Sequence, residues 1–491
     1  MTIASRLLGI PFILVVLLWP DHLAADTLLI RNVRVIDGTG AKPTEPLSIL
    51  IEDGRIAGLG VAVDVGSPAI GVRELDAGGG FAIPGLIDSH VHLTYGPGSG
   101  VSLPAPTNAK EWRSGWGKRA AHYLRAYLAS GVTTVLDAGG QDFAIREIQG
   151  LLASGAPGPR YLNLGPFLRP PDGYPDPAFE SVSGRRAIRD AVEGLVSLGS
   201  VGVKVPIEEG FSPIGSIPIH LEEDLQSIFS EARAHGLPVF VHATEERHQR
   251  IAIEMGARAL MHPIIGPGPG REEELSDGFV EAMRASGAFQ VSTLSVTDTQ
   301  LRAFDGKGLS GEPLIDLVVP AAELARARSK EAGAVAQVAL LEGGLRWVPR
   351  FILRFMAGAV FTEETLDAAL GRSARAIAKL QEAGVPIVVG SDSPFNPEAG
   401  IYAFHGPTTL TEIELLVNVA GLSPHQAIRS ATRVPAEMLG ISDEVGTIAV
   451  GLQADLLIIP TNPLNDIGAL RAPSWVIQAG VAKTPTKWMG R

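Results

Sequence analysis

The stretch that decides the fold is FAIPGLIDSHVH, which runs from Phe81 to His92. It has the pattern of an apolar strand that ends in two histidines two residues apart. Side chains alternate between the faces of a strand, so His90 and His92 are expected to point the same way. Two imidazoles on one face at the end of a strand suit a metal ion. The spacing alone is a weak signal, and its value depends on whether later strands end in further ligands.

Beyond this stretch the chain alternates between strand and helix patterns. After the strand before His90, further strands are predicted at residues 132–137, 160–164, 201–206, 238–242, 257–262, 288–292 and 385–392. Repeated strand–helix units predict an α/β fold with a parallel sheet, and eight of them predict a closed (β/α)8 TIM barrel over residues 85–435. The long segment before the last strand, about residues 294–384, is predicted to be a helical insertion near the barrel mouth.

Both ends of the predicted barrel are flanked by β patterns. Residues 28–36 have the pattern of a strand, and residues 49–56 that of a hairpin around Asp53-Gly54. Short apolar strands recur at residues 446–448, 454–459 and 475–477. The sequence therefore predicts a small β-sandwich domain built from residues 26–84 and 436–491.

The N-terminal segment has the pattern of a signal peptide. Arg6 precedes the apolar run from Leu7 to Trp19, which is shorter than the ~20 apolar residues that a bilayer span needs. Small residues come next, although a clean Ala-x-Ala cleavage pattern is missing. We expect cleavage near Ala25 and a periplasmic or secreted protein without a stable membrane span; an uncleaved anchor is the alternative.

Composition narrows the classes of partner and site. The 491-residue chain has a net charge of −12 and no basic run, which argues against nucleic acid as a partner. It contains no cysteine, which excludes disulfides, thiolate catalysis and zinc–thiolate sites. A small-molecule substrate is the expected partner. The sequence does not define an oligomeric state, although the insertion could form a homo-oligomer contact.

Three of the later predicted barrel strands end in residue types that commonly bind metal ions. His242 ends the fifth, His262 the sixth and Asp392 the eighth. Barrel enzymes keep their chemistry at the C-terminal strand ends, so these side chains are expected to converge with the first histidine pair. A lone histidine in such a place is more often structural, and an aspartate could cap a helix. Two histidines on successive strands favour the metal-binding interpretation.

Lys204 lies inside the apolar fourth strand. A lysine there is costly unless its amine is neutral or paired. A neutral amine can add carbon dioxide to form a carbamate, whose oxygen atoms can bridge two metal ions. The alternative is a lysine whose amine extends to the rim of the barrel, and the residues alone do not decide between the two.

With these residues the chain resembles the amidohydrolase superfamily. Within it, the chain is most similar to the branch that includes imidazolonepropionase, Xaa-Pro dipeptidases and ochratoxinase-type amidases. The resemblance covers nearly all of the chain after the signal peptide. It is carried by residues 85–92, 131–135, 158–160 and 203–205, by His242 and His262, and by residues 390–392, 412–416, 427–432 and 446–456.

The resemblance implies two divalent metal ions, with zinc expected. His90, His92 and Asp392 would bind the first ion, and His242 and His262 the second. A carboxylated Lys204 and a water or hydroxide would bridge the two ions. Asp392 would also act as general base, taking a proton from the attacking water and passing it to the leaving nitrogen. The expected activity is hydrolysis of an amide bond in a peptide-like or N-acyl amino acid substrate.

Two departures from the family pattern keep alternatives open. Many relatives carry a histidine two residues after the strand-five ligand, where this chain has Thr244. Glu245 completes a His-x-x-Glu spacing typical of mononuclear deaminases, which lack the strand-four lysine. A mononuclear deaminase or cyclic-amide hydrolase is therefore the second hypothesis. A non-catalytic binding protein is the third, and the complete ligand set argues against it.

Substrate contacts are harder to predict. Tyr95, Arg169 and His248 lie in segments expected to be loops after strand ends. They are candidates for binding a substrate carboxylate. Each could equally be an ordinary loop residue, because many loop residues never touch a ligand.

Overall fold

The computed structural model describes residues 27–61, 72–94, 110, 115, 117–174, 181–210, 216–264, 274–305, 312–328, 352, 355–356, 362–393, 395–396 and 401–491. The predicted signal peptide and Tyr95 lie outside these residues, as does much of the insertion. Among the described residues, no helix combines the length and apolar character that a membrane span requires.

In chain order, the strands are β1 (Leu28–Val35), β2 (Leu47–Glu52), β3 (Arg55–Gly60), β4 (Arg73–Asp76), β5 (Phe81–Pro84), β6 (Leu86–Val91), β7 (Val132–Asp137), β8 (Arg160–Asn163), β9 (Val203–Pro206), β10 (Val239–His242), β11 (Ala259–Leu260), β12 (Phe289–Val291), β13 (Ile387–Val388), β14 (Phe395–Asn396), β15 (Ile401–Tyr402), β16 (Leu456–Ile459), β17 (Trp475–Gln478) and β18 (Val481–Lys483). The helices are α1 (Gly117–Ala129), α2 (Asp142–Ala153), α3 (Arg185–Leu198), α4 (Glu222–Ala234), α5 (Glu246–Glu254), α6 (Asp277–Ser286), α7 (Ser295–Asp305), α8 (Pro313–Val318), α9 (Ala321–Ala327), α10 (Glu363–Glu382), α11 (Pro407–Asn418), α12 (Pro424–Ser430), α13 (Arg433–Leu439) and α14 (Pro485–Trp488), with a 3-10 helix at Ile467–Arg471.

Eight parallel strands, β6 to β13, form the sheets of the predicted barrel. They pair in chain order as a three-stranded sheet, β6-β7-β8, and a five-stranded sheet, β9-β10-β11-β12-β13. The two sheets meet at two seams, one between β8 and β9 and the other between β13 and β6. At the first seam Val201 N–H donates to the Asn163 carbonyl, and at the second Ser89 N–H donates to the Val389 carbonyl. The described ladders therefore stop at two seams bridged by isolated backbone hydrogen bonds, and full closure of the barrel stays a prediction.

Several strands are shorter than their sequence patterns indicate. The last one pairs only at Ile387–Val388, where a strand over residues 385–392 was expected. The chain leaves the extended conformation afterwards, and Asp392 has a positive φ of 49°. The apolar pattern marks residues buried beside the sheet, whereas the strand itself ends where ladder pairing stops.

A second sheet joins the two ends of the chain. Its order is β18-β17-β16-β5-β1-β2-β3, with β4 paired to β1. Strand β5 lies between β1 and β16 and pairs Ile83 with Leu457 in antiparallel register. Both termini thus contribute to one sheet, as the sequence predicts. The strands form a single hydrogen-bonded path, so the two-layered sandwich stays a prediction.

A glycine marks a close contact between this sheet and the parallel strands. Gly131 connects α1 to β7 with a φ of +83°. A Cβ atom added there would overlap the side chain of Leu457, which belongs to β16. Only glycine satisfies both conditions without strain, because it tolerates the left-handed region and has no side chain.

The described part of the insertion consists mainly of helices. Helices α7 to α9 come after β12, and α10 leads back into β13. Thr362 caps α10 by accepting a hydrogen bond from Thr365 N–H, and the side chain of Thr365 in turn binds Thr362 N–H. This reciprocal cap explains why α10 begins at Glu363.

Candidate metal centre

Strand β6 and the segment after β13 bring His90 and His92 close to Asp392. The Nε2 atoms of His90 and His92 lie 3.4 Å and 3.1 Å from Asp392 Oδ1. The backbone sets this geometry, because Asp392 N–H donates to the His90 carbonyl at 2.7 Å and His92 N–H donates to the Ser393 carbonyl at 2.8 Å. The structure thus places together three residues that the sequence predicts as ligands.

Backbone carbonyls orient these two imidazoles. His90 Nδ1 lies 3.1 Å from the Met261 carbonyl, and His92 Nδ1 lies 3.0 Å from the Gly139 carbonyl. A carbonyl only accepts, so each Nδ1 carries the proton and each Nε2 presents a lone pair towards Asp392. This is the arrangement that metal-binding histidines require.

His242 and His262 complete the cluster of imidazoles. The His242 and His262 ring centroids are 4.5 Å apart, and those of His90 and His262 are 4.8 Å apart. Donor atoms of His90, His262 and Asp392 all lie within 4.8 Å of one another. A set of imidazole nitrogens and a carboxylate oxygen suits zinc and related divalent ions. The residues therefore fit the metal centre expected from the sequence.

Burial keeps most of these imidazoles neutral. Removal from water lowers the pKa of His90, His242 and His262 below the ordinary histidine value. The nearby Lys204 amine contributes to the lowering for His90. The neutral form is the one that binds a metal ion.

Lys204 points into the same cluster. Its side chain is fully buried, and Nζ lies 3.4 Å from His90 Nε2. The amine therefore does not extend to the rim, which excludes that interpretation of the strand-four lysine. Burial lowers its pKa to about 7, so a substantial fraction of the amine is neutral near neutral pH.

Comparison with known proteins identifies the family of this chain. The profile of the amidohydrolase family matches residues 81–482. The chain belongs to the amidohydrolase family. It is 26% identical over 445 residues to imidazolonepropionase from Ralstonia nicotianae, covering 84% of this chain and 85% of that protein. It is 25% identical over 460 residues to imidazolonepropionase from Caulobacter vibrioides, covering 83% of this chain and 88% of that protein.

Solved structures share the fold of this amidohydrolase. A Xaa-Pro dipeptidase with bound methionine in its active site matches with a TM-score of 0.69 at 22% identity, covering 93% of this chain and 99% of that one. Ochratoxinase from A. niger matches with a TM-score of 0.66 at 19% identity, covering 93% and 95%. The family resemblance drawn from the sequence is thereby confirmed.

Asp88 links the segment that carries His90 and His92 to the segment that carries Asp392. Its carboxyl group accepts hydrogen bonds from the N–H groups of His90 and Ser391, at 3.3 Å and 3.0 Å, and from the Thr409 hydroxyl at 2.6 Å. Burial raises its pKa to about 6. The sequence places Asp88 before the histidine pair but does not reveal this bridging role.

Glu412 supports the other side of the site in a similar way. It accepts from the Ser292 hydroxyl at 2.5 Å and from the N–H groups of Leu294 and Ser295 at 3.0 Å and 2.6 Å. These bonds fix the turn at Thr293, whose φ is 39°. The Thr293 hydroxyl lies 3.0 Å from His262 Nδ1, so the turn orients that imidazole.

Two residues near His242 were not anticipated. The ring of Tyr174 stacks on His242 with centroids 4.5 Å apart. Glu208, which is buried, places Oε2 3.6 Å from His242 Nε2. One signal could have revealed Glu208: it lies four residues after Lys204, and even spacing along an extended chain keeps side chains on one face.

The predicted substrate contacts have varied surroundings. Arg169 is buried and donates to the carbonyls of Pro170 and Gly173, so it holds its own loop together. His248 lies in α5 rather than in a loop, because the helix begins two residues earlier; its Nε2 is 3.8 Å from Glu209. Tyr95 falls outside the described residues. Substrate binding by all three stays a prediction.

Proposed function

We propose that this protein is a metal-dependent hydrolase that cleaves an amide C–N bond in a peptide-like or N-acyl amino acid substrate. The observation that carries the proposal is the convergence of four imidazoles, Asp392 and the buried Lys204 amine at the C-terminal ends of parallel strands. Membership of the amidohydrolase family supports the same class of reaction.

In this proposal, His90, His92 and Asp392 would hold one divalent ion, His242 and His262 would hold a second, and a carboxylated Lys204 would supply further oxygen ligands. Zinc is the expected metal for this donor set. When bound, such ions would polarise the scissile carbonyl and lower the pKa of the attacking water.

Asp392 is well placed to move a proton. Its side chain is 21% exposed, whereas that of the neighbouring His90 is only 1% exposed. The carboxylate can therefore meet both the histidine cluster and an incoming substrate. We propose that it takes the proton of the attacking water and delivers it to the leaving nitrogen.

Lys204 would be carboxylated by carbon dioxide itself. The neutral amine attacks the carbon atom, one C=O electron pair moves to oxygen, and a proton leaves Nζ. The product is a carbamate anion that offers oxygen ligands. Full burial of Lys204 and a pKa lowered to about 7 support this step, because only the neutral amine is nucleophilic.

A mononuclear deaminase or cyclic-amide hydrolase is the second candidate. The His-x-x-Glu spacing at Glu245 and the similarity to proteins named imidazolonepropionase favour it. Against it, the Glu245 carboxylate accepts from Arg247 Nε at 2.6 Å, and the Lys204 amine lies 3.4 Å from His90 Nε2. These contacts make the two-metal amidase the better proposal.

Metal analysis and a hydrolysis screen test these candidates together. The metal-loaded protein would be offered dipeptides, N-acyl amino acids, amide-linked aromatic compounds and cyclic amides. Two tightly bound ions per chain with release of an amine and a carboxylate support the proposal. One ion with deamination or ring opening supports the second candidate, and absence of both ions and turnover would indicate a binding protein.

Export is a separate proposal that rests on the N-terminal sequence. We propose that residues 1–25 are removed as a signal peptide during transport to the periplasm or beyond. N-terminal sequencing of the protein from its native source would identify the first mature residue, expected near Asp26. An intact Met1 in the exported protein would contradict cleavage.

A further inference from the structure

Glu208 is a buried carboxyl group beside the metal centre with no role in the proposed reaction. It lies two residues beyond the end of β9, and its side chain is 0% exposed. Burying a carboxyl group is costly unless polar partners compensate. Its contacts therefore indicate what it does.

Neighbouring groups hold the Glu208 carboxyl group at both of its oxygen atoms. Gly210 N–H donates to Oε1 at 2.9 Å. The hydroxyl of Thr244 donates to Oε2. The same Oε2 lies 3.6 Å from Nε2 of His242. The carboxyl group is thus fixed in a position where one oxygen faces the imidazole.

Tyr174 restricts the imidazole from another direction. Its ring stacks on His242 with an interplanar angle of 29°. Stacking fixes the plane of the imidazole, and Glu208 lies close to the edge that carries Nε2. A ring held in both ways has a defined orientation towards the cluster.

The orientation of His242 differs from that of the first histidine pair. In His90 and His92, Nδ1 contacts a backbone carbonyl and Nε2 points to Asp392. In His242, Nε2 is the nitrogen that faces an acceptor. A neutral imidazole carries one proton, and the hydrogen bond of one nitrogen decides which nitrogen can bind a metal ion.

We propose that Glu208 is a positioning residue that holds the proton of His242 on Nε2 and so presents Nδ1 as the metal-binding atom. The inference rests on the metal centre of the proposed function. Thr244 takes part by orienting the carboxyl group. Many relatives were expected to have a histidine where this chain has Thr244.

The neighbouring carboxyl groups have other contacts. Glu209 pairs with Arg247 and lies 3.8 Å from His248. Glu245 also pairs with Arg247. Glu209→Gln is therefore a matched control for Glu208→Gln. The two substitutions remove carboxylates at adjacent positions, but only Glu208→Gln changes the group that faces His242.

The test compares the full-length wild type with Glu208→Gln, Glu208→Ala and the control Glu209→Gln. Zinc affinity would be measured by competition with a chelator, and bound zinc by elemental analysis. Nitrogen chemical shifts of isotope-labelled histidine in the metal-free protein would identify the protonated atom of His242. We expect zinc affinity at one site to fall about 10- to 100-fold in Glu208→Ala, less in Glu208→Gln, and to stay unchanged in the control.

Wild-type zinc affinity and an unchanged His242 tautomer in Glu208→Ala would overturn the inference. If that variant does not fold, Glu208→Gln, which retains the shape and one neutral acceptor, carries the test. A wild type that binds two zinc ions but hydrolyses no amide would refute the proposed function and leave the role of Glu208 standing. Normal zinc binding by both Glu208 variants would refute the role of Glu208 and leave the proposed function standing.

Discussion

Nε2 of His92 and Oδ1 of Asp392 lie 3.1 Å apart across the seam between the first and last parallel strands. Backbone hydrogen bonds across that seam fix the contact, and the Asp88 carboxyl group reinforces it by accepting from Ser391 N–H. The site therefore depends on the two strands that are farthest apart along the barrel sequence. Replacement of either side chain should affect chemistry more than folding.

Asp392→Asn tests the proposed general base. The amide keeps the shape of the side chain but cannot take a proton, so we expect kcat/KM for amide hydrolysis to fall by about 10²- to 10⁴-fold. Asp142→Asn, which removes an exposed carboxylate at the start of α2, should leave the rate unchanged. Wild-type turnover by Asp392→Asn would exclude this role for Asp392.

Lys204→Met tests the bridging carbamate. Methionine fills a similar volume without an amine, so hydrolysis should be lost and the number of bound metal ions should fall. The metal-free variant should be at least as stable as wild type, because burying an amine is unfavourable. Lys379→Met, at a lysine that pairs with Asp277, is the control for loss of a lysine. Full activity in Lys204→Met would refute the carbamate.

Gly131→Ala should destabilise the contact between the terminal sheet and the parallel strands. The left-handed conformation costs an alanine about 1 kcal/mol, and overlap with Leu457 should add about 1–3 kcal/mol. Gly155→Ala is the matched control, since Gly155 has a φ of +87° and no described atom within 4 Å of an added Cβ. Thermal unfolding would compare them; equal losses would mean that the Leu457 contact is unimportant.

Asp455 should make stability depend on pH. Burial raises its pKa from 3.8 to about 6, although Ala479 N–H and Arg160 favour the ionised form. Because the folded-state pKa is raised, ionisation opposes folding. The cost is absent below about pH 4, grows up to about pH 6, and then stays constant at about 3 kcal/mol or less.

Asp455→Asn should remove that cost while its side-chain oxygen still accepts from Ala479 N–H. The melting temperature of the variant relative to wild type should therefore rise between about pH 4 and about pH 6 and stay level above that range. A difference that is independent of pH would show that Asp455 does not titrate in this interval.

The sequence predicts which side chains lie together at the candidate metal centre better than it predicts the groups that orient them. Alternation along one strand is enough to place His90 and His92 on one face. By contrast, the relation of Glu208 to His242 depends on the parallel register of β9 and β10, which pairs Pro206 with His242. Two residues beyond the end of each strand, Glu208 lies beside Thr244. A period-two pattern indicates a face but not a register, so the pair could not be predicted.

Backbone conformation limits what the sequence can predict at the eighth barrel strand, β13. The apolar pattern runs on to Asp392, but ladder pairing ends at Val388. Beyond that point, a hydrogen bond to the His90 carbonyl holds Asp392 in a left-handed conformation. That bond joins residues distant in sequence, so the local pattern could predict Asp392 as a candidate ligand but not how its backbone is held.

The place of β5 in the terminal sheet also sets an order of events during synthesis. Phe81–Pro84 leaves the ribosome long before its partner Leu456–Ile459, so one edge of β5 has no neighbour while most of the chain is being made. The strand that carries His90 begins only two residues after β5. In a nascent chain, the strand just before the candidate metal centre therefore lacks one of its two neighbours until nearly the last segment has been translated.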